Sequence, residues 1–193
     1  ARVDAMYYTV PAQNGRRFIV TGANSGTGRE AARRLALAGA EVVLAVRSLE
    51  KGEEARAAIA AEAPDATLDV RRLDLADIAS VREFAAGIVA DARPVHALVN
   101  NAGVMMPPKR FETADGFELQ FGTNFVGPYV LTRLLLPVLL RTPGARVATM
   151  SSMVANFGRI ALDDLSWTTR RYNPVLAYAQ SKLADLLMGR HLA

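Results

Sequence analysis

Cysteine is missing from the 193-residue sequence, and histidine and lysine are scarce, with two and three residues. The lack of thiols excludes a disulfide framework and any metal site built from thiolates. The two histidines, His96 and His191, are far apart in the sequence and leave little for a zinc or non-haem iron site. We therefore expect no metal in this protein.

Long apolar runs are also missing. The most apolar stretch, residues 130–140, is interrupted by Arg133 and Pro137, and it is shorter than the roughly 20 residues that span a bilayer. The first 17 residues hold no apolar run long enough for the core of a signal peptide. We therefore expect a cytoplasmic protein without a membrane span.

The overall composition is that of a globular protein, with 51% hydrophobic and 22% charged residues. At about 150 residues per domain the chain is expected to form one domain. Its 23 basic and 19 acidic residues give a net charge of +4. The basic residues are mostly arginines scattered along the chain, so nucleic-acid binding is not expected.

Apolar segments typical of strands alternate with segments of helical periodicity. Such alternation produces parallel strands, because each crossover between parallel neighbours needs a long connection such as a helix. The expected fold is α/β, a Rossmann-type doubly wound parallel sheet with helices on both faces. The predicted strands are residues 17–20, 41–46, 66–73, 95–99 and 144–150, and the predicted helices are 29–39, 49–63, 77–91, 111–141 and 177–192.

Two further features concern domain organisation. Residues 153–173 lack clear periodicity, and the sequence ends inside the last helical pattern. Doubly wound sheets usually continue with another strand after such a helix. We therefore expect residues 1–193 to form a single dinucleotide-binding domain whose C-terminal strand or strands are missing.

A glycine-rich turn connects the first predicted strand to the first helix. Gly22, Gly26 and Gly28 form the pattern G-x-x-x-G-x-G. Glycines let the backbone approach a pyrophosphate, and the helix N-terminus offers unpaired N–H groups and a positive dipole. This pattern differs from the common G-x-G-x-x-G fingerprint. Taken alone, it fits either a nucleotide loop or an ordinary tight turn.

The end of the second strand bears on which cofactor is bound. An acidic residue there holds the 2′-hydroxyl of NAD, whereas an arginine accommodates the 2′-phosphate of NADP. Here the strand ends in Arg47 and Ser48, with no acid before Glu50. Arg47 can pair with the phosphate through its planar fork, and Ser48 can donate a further bond. The alternative is that Arg47 is a surface arginine.

Asp74, after the third strand, is either a contact for an adenine amino group or the cap of the next helix.

Four side chains near the C-terminal half suggest acid–base chemistry. Tyr178 and Lys182 are four residues apart and share a helix face. An ammonium near a phenol favours the phenolate, so the tyrosine can exchange a proton with an alcohol. Ser152 follows a parallel strand, where its hydroxyl could hold a carbonyl oxygen or simply form a turn. Pro128 cannot bond the carbonyl of Asn124, which predicts either a water site at that carbonyl or a kinked helix.

In combination these features resemble the short-chain dehydrogenase/reductase family. The family's T-G-x-x-x-G-x-G motif matches residues 21–28, its N-N-A-G matches 100–103, and its Y-x-x-x-K matches 178–182. A serine follows the fifth strand, and an asparagine stands in the helix before it. The resemblance extends from Arg17 to the end of the chain.

The resemblance implies hydride transfer between a nicotinamide and a carbonyl or alcohol. Tyr178 is then the general acid/base, Lys182 favours its phenolate and holds the nicotinamide ribose, and Ser152, preferred to Ser151, orients the substrate oxygen. Asn124 anchors a relay water. The implied cofactor contacts are Gly22, Asn24, Ser25, Gly26, Thr27, Gly28, Arg47, Ser48, Asp74, Leu75, Asn101, Ala102, Gly103, Tyr178 and Lys182.

The 26-residue separation of Ser152 and Tyr178 is longer than usual in the family. It resembles the retinol-dehydrogenase-like and protochlorophyllide-reductase-like branch, whose members often prefer NADP(H) to NAD(H). Asn24 and Ser25 stand where many NADP-using members have a basic residue, so Arg47 is the main indication for NADP. The resemblance also implies a homodimer or homotetramer and a small-molecule substrate. A non-catalytic nucleotide-binding regulator on the same fold is the alternative function, although such proteins typically lack the tyrosine or the lysine.

Overall fold

The sheet is parallel throughout and has five strands in the order β3-β2-β1-β4-β5. A computed structural model describes residues 9–193. Its strands are β1 (Arg17–Thr21), β2 (Glu41–Val46), β3 (Leu68–Arg72), β4 (Ala97–Asn100) and β5 (Arg146–Thr149). The strand order reverses between β1 and β4, and ligands bind at the carboxyl ends of strands beside such a switch point.

Helices cover both faces of this sheet, as the alternating pattern predicted. They are α1 (Gly26–Leu37), α2 (Leu49–Glu62), α3 (Ile78–Ala90), α4 (Leu119–Phe121), α5 (Gly127–Arg141) and α6 (Pro174–Leu192). A π-helical turn, Gly122–Val126, joins α4 to α5, and a 3₁₀ helix, Met153–Phe157, follows β5.

The alternation of side chains along the strands produces two separate cores. Ile19 on β1 faces the core formed with α3 and α5, which includes Leu98 and Leu135. Its neighbour Val20 faces the opposite core, formed with α1 and α2, which includes Ile59. Successive residues of a strand point to opposite faces, so strands buried on both sides read as continuous apolar runs. The predicted doubly wound α/β fold is confirmed.

The helix predicted over residues 111–141 begins only at Leu119. Before it, Gly116 has φ +82°, and the Asp115 carboxylate accepts a hydrogen bond from the Ile78 N–H. The left-handed conformation and this long-range contact fix a turn where the periodicity indicated helix. Glu118 then caps α4 by accepting a bond from the Phe121 N–H.

The helical segment Leu119–Arg141 is longer than the interrupted apolar run at its centre suggested. By length and composition it could cross a membrane, with a mean hydropathy of 1.3. Its residues Leu131 and Leu135 are nevertheless fully buried in the core between the sheet and α3. In this fold the segment therefore packs as a core helix.

The connection between β5 and α6, for which no periodicity was found, is held together by one carboxylate. Asp164 is buried and accepts hydrogen bonds from the backbone and hydroxyls of Thr168 and Thr169 and from the Arg170 N–H. Burial alone would raise the pKa of Asp164, but these bonds outweigh it and hold the pKa well below its usual range. The connection is thereby fixed as one compact loop.

Candidate functional site

A cleft of about 410 Å³ opens at the carboxyl ends of the central strands, beside the switch point. It is the position at which open parallel sheets bind ligands. Eleven of the fifteen predicted cofactor residues line it: Gly22, Asn24, Ser25, Gly26, Thr27, Arg47, Asp74, Leu75, Asn101, Ala102 and Gly103. The other four do not line it: Gly28 lies in α1, Ser48 caps the start of α2, and Tyr178 and Lys182 lie in α6.

The glycine loop is fastened to the segment after β4 by Thr21 and Asn101. The Thr21 hydroxyl oxygen accepts hydrogen bonds from the N–H groups of Asn101 and Ala102, each at 3.0 Å. The Asn101 side chain donates to the Thr21 carbonyl and accepts from the Thr27 hydroxyl. These bonds join two of the three sequence motifs into one wall of the cleft.

Two glycines in this wall could not be replaced without a clash. Gly22 has φ +67°, and a Cβ there would lie 3.0 Å from the Cα of Ala102. A Cβ on Gly28 would lie 2.4 Å from the Gly22 carbonyl oxygen and 2.5 Å from the Asn101 side-chain nitrogen. The loop therefore lies against the start of α1 as closely as backbone permits, which fits a phosphate cradle better than an ordinary tight turn.

Arg47 and Asp74 stand on the side of the cleft where the second and third strands end. Arg47 is exposed, lines the cleft and carries no ion pair in the described part of the chain. Ser48 caps α2 by accepting from the Lys51 N–H at 3.4 Å. The interpretation of Asp74 as the cap of α3 is wrong. The cap is Asp77, and Asp74 accepts from the Ala76 N–H while facing the cleft.

Asn124 lies in the π-helical turn, where the helix widens instead of breaking before Pro128. Its side-chain oxygen accepts from the Val104 N–H at 2.7 Å, and its side-chain nitrogen donates to the Val104 carbonyl and to the Ser181 hydroxyl. Asn124 thus fixes the segment after Gly103 against α6. The widening was not predicted, although Pro128 marked the place.

Tyr178 and Lys182 share one face of α6, as their spacing predicted. The Lys182 ammonium lies 5.9 Å from the centre of the Tyr178 ring. It donates to the Met150 carbonyl at 2.8 Å and to Asp185 at 2.9 Å. A Cβ on Gly103 would be 3.8 Å from this ammonium and 3.1 Å from the Asn124 side-chain oxygen. The lysine ammonium is therefore close both to the tyrosine ring and to the cleft wall.

The two serines after β5 differ in how their hydroxyls are used. The Ser151 hydroxyl donates to the Lys182 carbonyl at 2.8 Å. The Ser152 oxygen accepts from the Val154 N–H at 3.4 Å and caps the 3₁₀ helix. A hydroxyl has one hydrogen to donate, and that of Ser151 is taken. Among residues 9–193 the Ser152 hydroxyl serves only as an acceptor, so its hydrogen is available to a ligand.

A second set of polar residues near the site was not predicted from the sequence. Glu118, fully buried, accepts a hydrogen bond from the Tyr172 hydroxyl, which in turn accepts from Gln120. Burial and the bond to Glu118 raise the pKa of Tyr172 to about 12. Tyr172 therefore stays protonated and joins the loop before α6 to α4.

Comparison with known proteins agrees with this geometry. The model of a family described as short chain dehydrogenase matches residues 16–163. The chain belongs to the short-chain dehydrogenase family. It is 45% identical over 185 residues to Retinol dehydrogenase 13 of Homo sapiens, with 96% of this chain and 55% of that protein covered. The retinol-dehydrogenase-like branch, predicted from the spacing of Ser152 and Tyr178, is confirmed.

Solved structures give the same result. An uncharacterised protein from Mycobacterium paratuberculosis superposes with a TM-score of 0.84 at 45% identity, covering 95% of this chain and 63% of that one. A short chain dehydrogenase from Shigella flexneri 2a, complexed with NADP, superposes with a TM-score of 0.75 at 28% identity, covering 93% and 71%. The chain spans about half the length of the curated relatives it matches.

Proposed function

We propose that this protein is an NADP(H)-dependent oxidoreductase that interconverts a carbonyl and an alcohol, with Tyr178 as general acid/base. The observation that carries the proposal is that the Lys182 ammonium lies close both to the Tyr178 ring and to Gly103 in the cleft wall. Family membership and the NADP complex of a structural relative support it. The lysine links the proton-transfer group to the nucleotide cleft.

The cleft fits a dinucleotide. Gly26 lines the cleft and begins α1, and a Cβ there would have nothing within 4 Å, so the surface at the helix N-terminus is open to a pyrophosphate. Thr27 stands in the first turn of α1. Arg47 would pair with a 2′-phosphate, since its fork is exposed and carries no competing ion pair within residues 9–193. When bound, the nicotinamide supplies or accepts the hydride.

Proton transfer would then depend on two hydroxyl groups. Tyr178 would hold the proton that moves to or from the substrate oxygen, and the Lys182 ammonium would stabilise the phenolate. Ser152 would donate its hydrogen to the same oxygen, because its neighbour Ser151 already bonds the Lys182 carbonyl. Asn124 would act as a positioning residue through its two bonds to Val104.

Exposed methionines around the serines favour an apolar substrate. Met153 is 86% exposed and Met105 is 65% exposed. They follow β5 and β4, two neighbouring strands whose carboxyl ends lie at the same edge of the sheet. Flexible, polarisable methionine side chains suit irregular apolar ligands. An apolar alcohol, such as the retinol in the name of a relative, agrees with this surface.

Replacing Tyr178 with phenylalanine tests the proposal. The variant lacks the transferable proton, so turnover of apolar alcohols with NADP⁺ should fall by about 10²–10⁴-fold, the usual range for a general acid/base. NADPH affinity, measured by calorimetry, should stay unchanged. Tyr129→Phe is the matched control, because Tyr129 is a half-exposed tyrosine on α5 that lies against Phe125. Turnover by Tyr178→Phe equal to that of the control would contradict the assigned role.

The helices α5 and α6 flank an apolar groove of about 620 Å³ that includes Phe125, Tyr129 and Leu187. It is a surface that a second copy of the chain could cover. Assembly into a homodimer or homotetramer through these helices remains a prediction, and so does a cytoplasmic location.

A further inference from the structure

Asp185 is a buried carboxylate that nothing in the proposed reaction uses. It lies on α6, three residues after Lys182, and is 1% exposed. One of its oxygens, Oδ2, accepts a hydrogen bond from the Lys182 ammonium at 2.9 Å. The Lys182 side chain is itself only 5% exposed. The two charges therefore form an ion pair inside the protein, with the ammonium close to Gly103 in the cleft wall.

The hydrogen bonding of Asp185 is incomplete. The other carboxylate oxygen, Oδ1, is buried and has no hydrogen-bond partner among residues 9–193. Taking two charges out of water costs several kcal/mol per ion, so a buried pair is weak evidence for stability. A buried oxygen without a hydrogen bond adds a further cost to keeping this carboxylate in place. The single bond of Asp185 goes to the lysine of the candidate site.

The bonds of Lys182 show what the carboxylate could do. An ammonium group has three N–H donors in tetrahedral arrangement. One is bonded to the Met150 carbonyl and a second to Asp185. We propose that Asp185 is a positioning residue: with the Met150 carbonyl it fixes the rotation of the ammonium, so that the third donor is held toward the cleft wall at Gly103. This inference rests on the proposed function, in which that donor meets the nicotinamide ribose.

The surroundings of Asp185 make the pairing sensitive to pH. Burial raises the pKa of Asp185 to about 6, although Lys182 opposes the shift. The four elements that pack most closely against α6 are the 3₁₀ helix, α4, the π-helical turn and β5. They carry a single charged side chain, the exposed Arg146 at the start of β5. On α6 itself, Tyr178, Arg190 and His191 are the other ionisable groups. Below pH 6 the carboxyl becomes neutral, and its hold on the ammonium weakens.

The affinities for two ligands distinguish a positioning role of Asp185 from a purely structural one. NADPH reaches both halves of the cleft, whereas adenosine 2′,5′-bisphosphate lacks the nicotinamide ribose that Lys182 would contact. Asp185→Asn should lower the affinity for NADPH about tenfold, which corresponds to the loss of one charge-assisted hydrogen bond. It should leave the affinity for adenosine 2′,5′-bisphosphate unchanged. Asp163→Asn is the control, because Asp163 is an exposed aspartate in the loop before α6.

The pH dependence gives a second readout. We define the affinity ratio as the NADPH affinity divided by the adenosine 2′,5′-bisphosphate affinity. The wild-type ratio, divided by the ratio of Asp185→Asn at the same pH, should fall toward one as the pH drops through about 6. The ligand phosphates titrate alike in both proteins and cancel in this quotient. In Asp185→Asn itself the ratio should be low and should follow only the titration of the ligand phosphates, because the amide cannot titrate. Asparagine has nearly the shape of aspartate, and the thermal midpoint verifies that the variant is folded.

Three results would overturn the inference. If Asp185→Asn and the wild type have the same ratio of NADPH affinity to adenosine 2′,5′-bisphosphate affinity at every pH, Asp185 does not position Lys182. Equal losses for both ligands, with a lowered thermal midpoint, would mean that Asp185 acts through the fold. If the wild type binds adenosine 2′,5′-bisphosphate and NADPH with equal affinity, Lys182 does not meet the nicotinamide half. A wild type that binds neither ligand would instead disprove the proposed function itself.

Discussion

The two ends of the same parallel sheet use their polar residues in opposite ways. At the amino ends of the strands, arginines and carboxylates are paired with one another across neighbouring strands. At the carboxyl ends, glycine, threonine and asparagine predominate, and Arg47 carries no ion pair within the described residues. The first arrangement holds strands together, and the second leaves donors available to a ligand.

The amino end is centred on Arg17, which is 2% exposed. Its guanidinium lies 2.5 Å from Asp91, at the end of α3, and 3.1 Å from Glu41, at the start of β2. Arg71 lies toward the carboxyl end of β3, but its side chain also pairs with Asp91. Arg93 pairs with Glu41. Burial alone would raise the pKa of Asp91, but the hydrogen bonds from Arg17 and Arg71 lower it below its ordinary value. In this network each charged side chain is paired with one of opposite sign from another element.

At the carboxyl ends of the strands, polar side chains form hydrogen bonds with backbone groups instead of with charged side chains. Thr21 and Asn101 bond main-chain groups of the glycine loop and of the segment after β4. Asn124 does the same for Val104. Side chains used in this way fix the shape of the cleft without neutralising its charged groups. Changes at the amino end should therefore affect stability, whereas changes at the carboxyl end should affect ligand binding.

Arg17→Met should produce the largest effect on stability. Methionine keeps an apolar stem but removes the buried guanidinium from Asp91 and Glu41. Breaking a buried pair typically costs 3–5 kcal/mol, and the remaining arginines compensate in part, so we expect about 3 kcal/mol in the free energy of unfolding by urea. NADPH affinity should not change. A variant as stable as the wild type, or one with altered NADPH affinity, would contradict the claim that the amino end of the sheet serves stability and the carboxyl end serves ligand binding.

The loss of stability in Arg17→Met should become smaller as the pH falls. The folded-state pKa of Asp91 lies below its unfolded value, so the stabilisation linked to Asp91 is present above the unfolded pKa. It is lost as the pH falls through the folded-state pKa. The difference in stability between wild type and Arg17→Met should therefore narrow in acid.

Gly28→Ala should produce a smaller effect at the other end of the sheet. The added methyl group would meet the Gly22 carbonyl oxygen at 2.4 Å. Overpacking of this kind costs about 1–3 kcal/mol, and because the backbone of the glycine loop must shift, NADPH affinity should fall by a similar free energy. Calorimetric titration measures this loss.

Gly189→Ala is the control for Gly28→Ala. A Cβ on Gly189 would have nothing within 4 Å. Alanine in a helix is favoured over glycine by about 0.5–1 kcal/mol, so this variant should be slightly more stable and bind NADPH normally. If both variants bind NADPH equally well, the glycine loop is not the pyrophosphate cradle.

Much of this architecture could be predicted from local sequence. The β2 boundaries were predicted correctly because a β-branched run buried on both faces has few alternatives. The positions of Tyr178 and Lys182 on one face followed from helical spacing alone. Eleven of the predicted cofactor residues line one cleft because the motifs end strands that meet at one edge of the sheet. Each of these features depends on a short stretch of chain.

The features that escaped prediction depend on contacts between distant segments. The turn before α4 is fixed by Asp115 bonding to the start of α3, and Glu118 is held by Tyr172, 54 residues away. Asp185 was within reach of prediction, since its spacing from Lys182 places both on one helix face. Nothing in the sequence, however, indicated that this face is buried against β5 and the 3₁₀ helix.

The most direct test of the account is a calorimetric titration of this chain and of Arg47→Ala with NADPH and with NADH. Wild-type protein should bind NADPH more tightly, and Arg47→Ala should lose about tenfold or more for NADPH while NADH is unaffected, because only NADPH carries the 2′-phosphate. Equal losses for the two cofactors, or a wild type that prefers NADH, would contradict the assignment of Arg47 and of the carboxyl end of the sheet as an NADP(H) site.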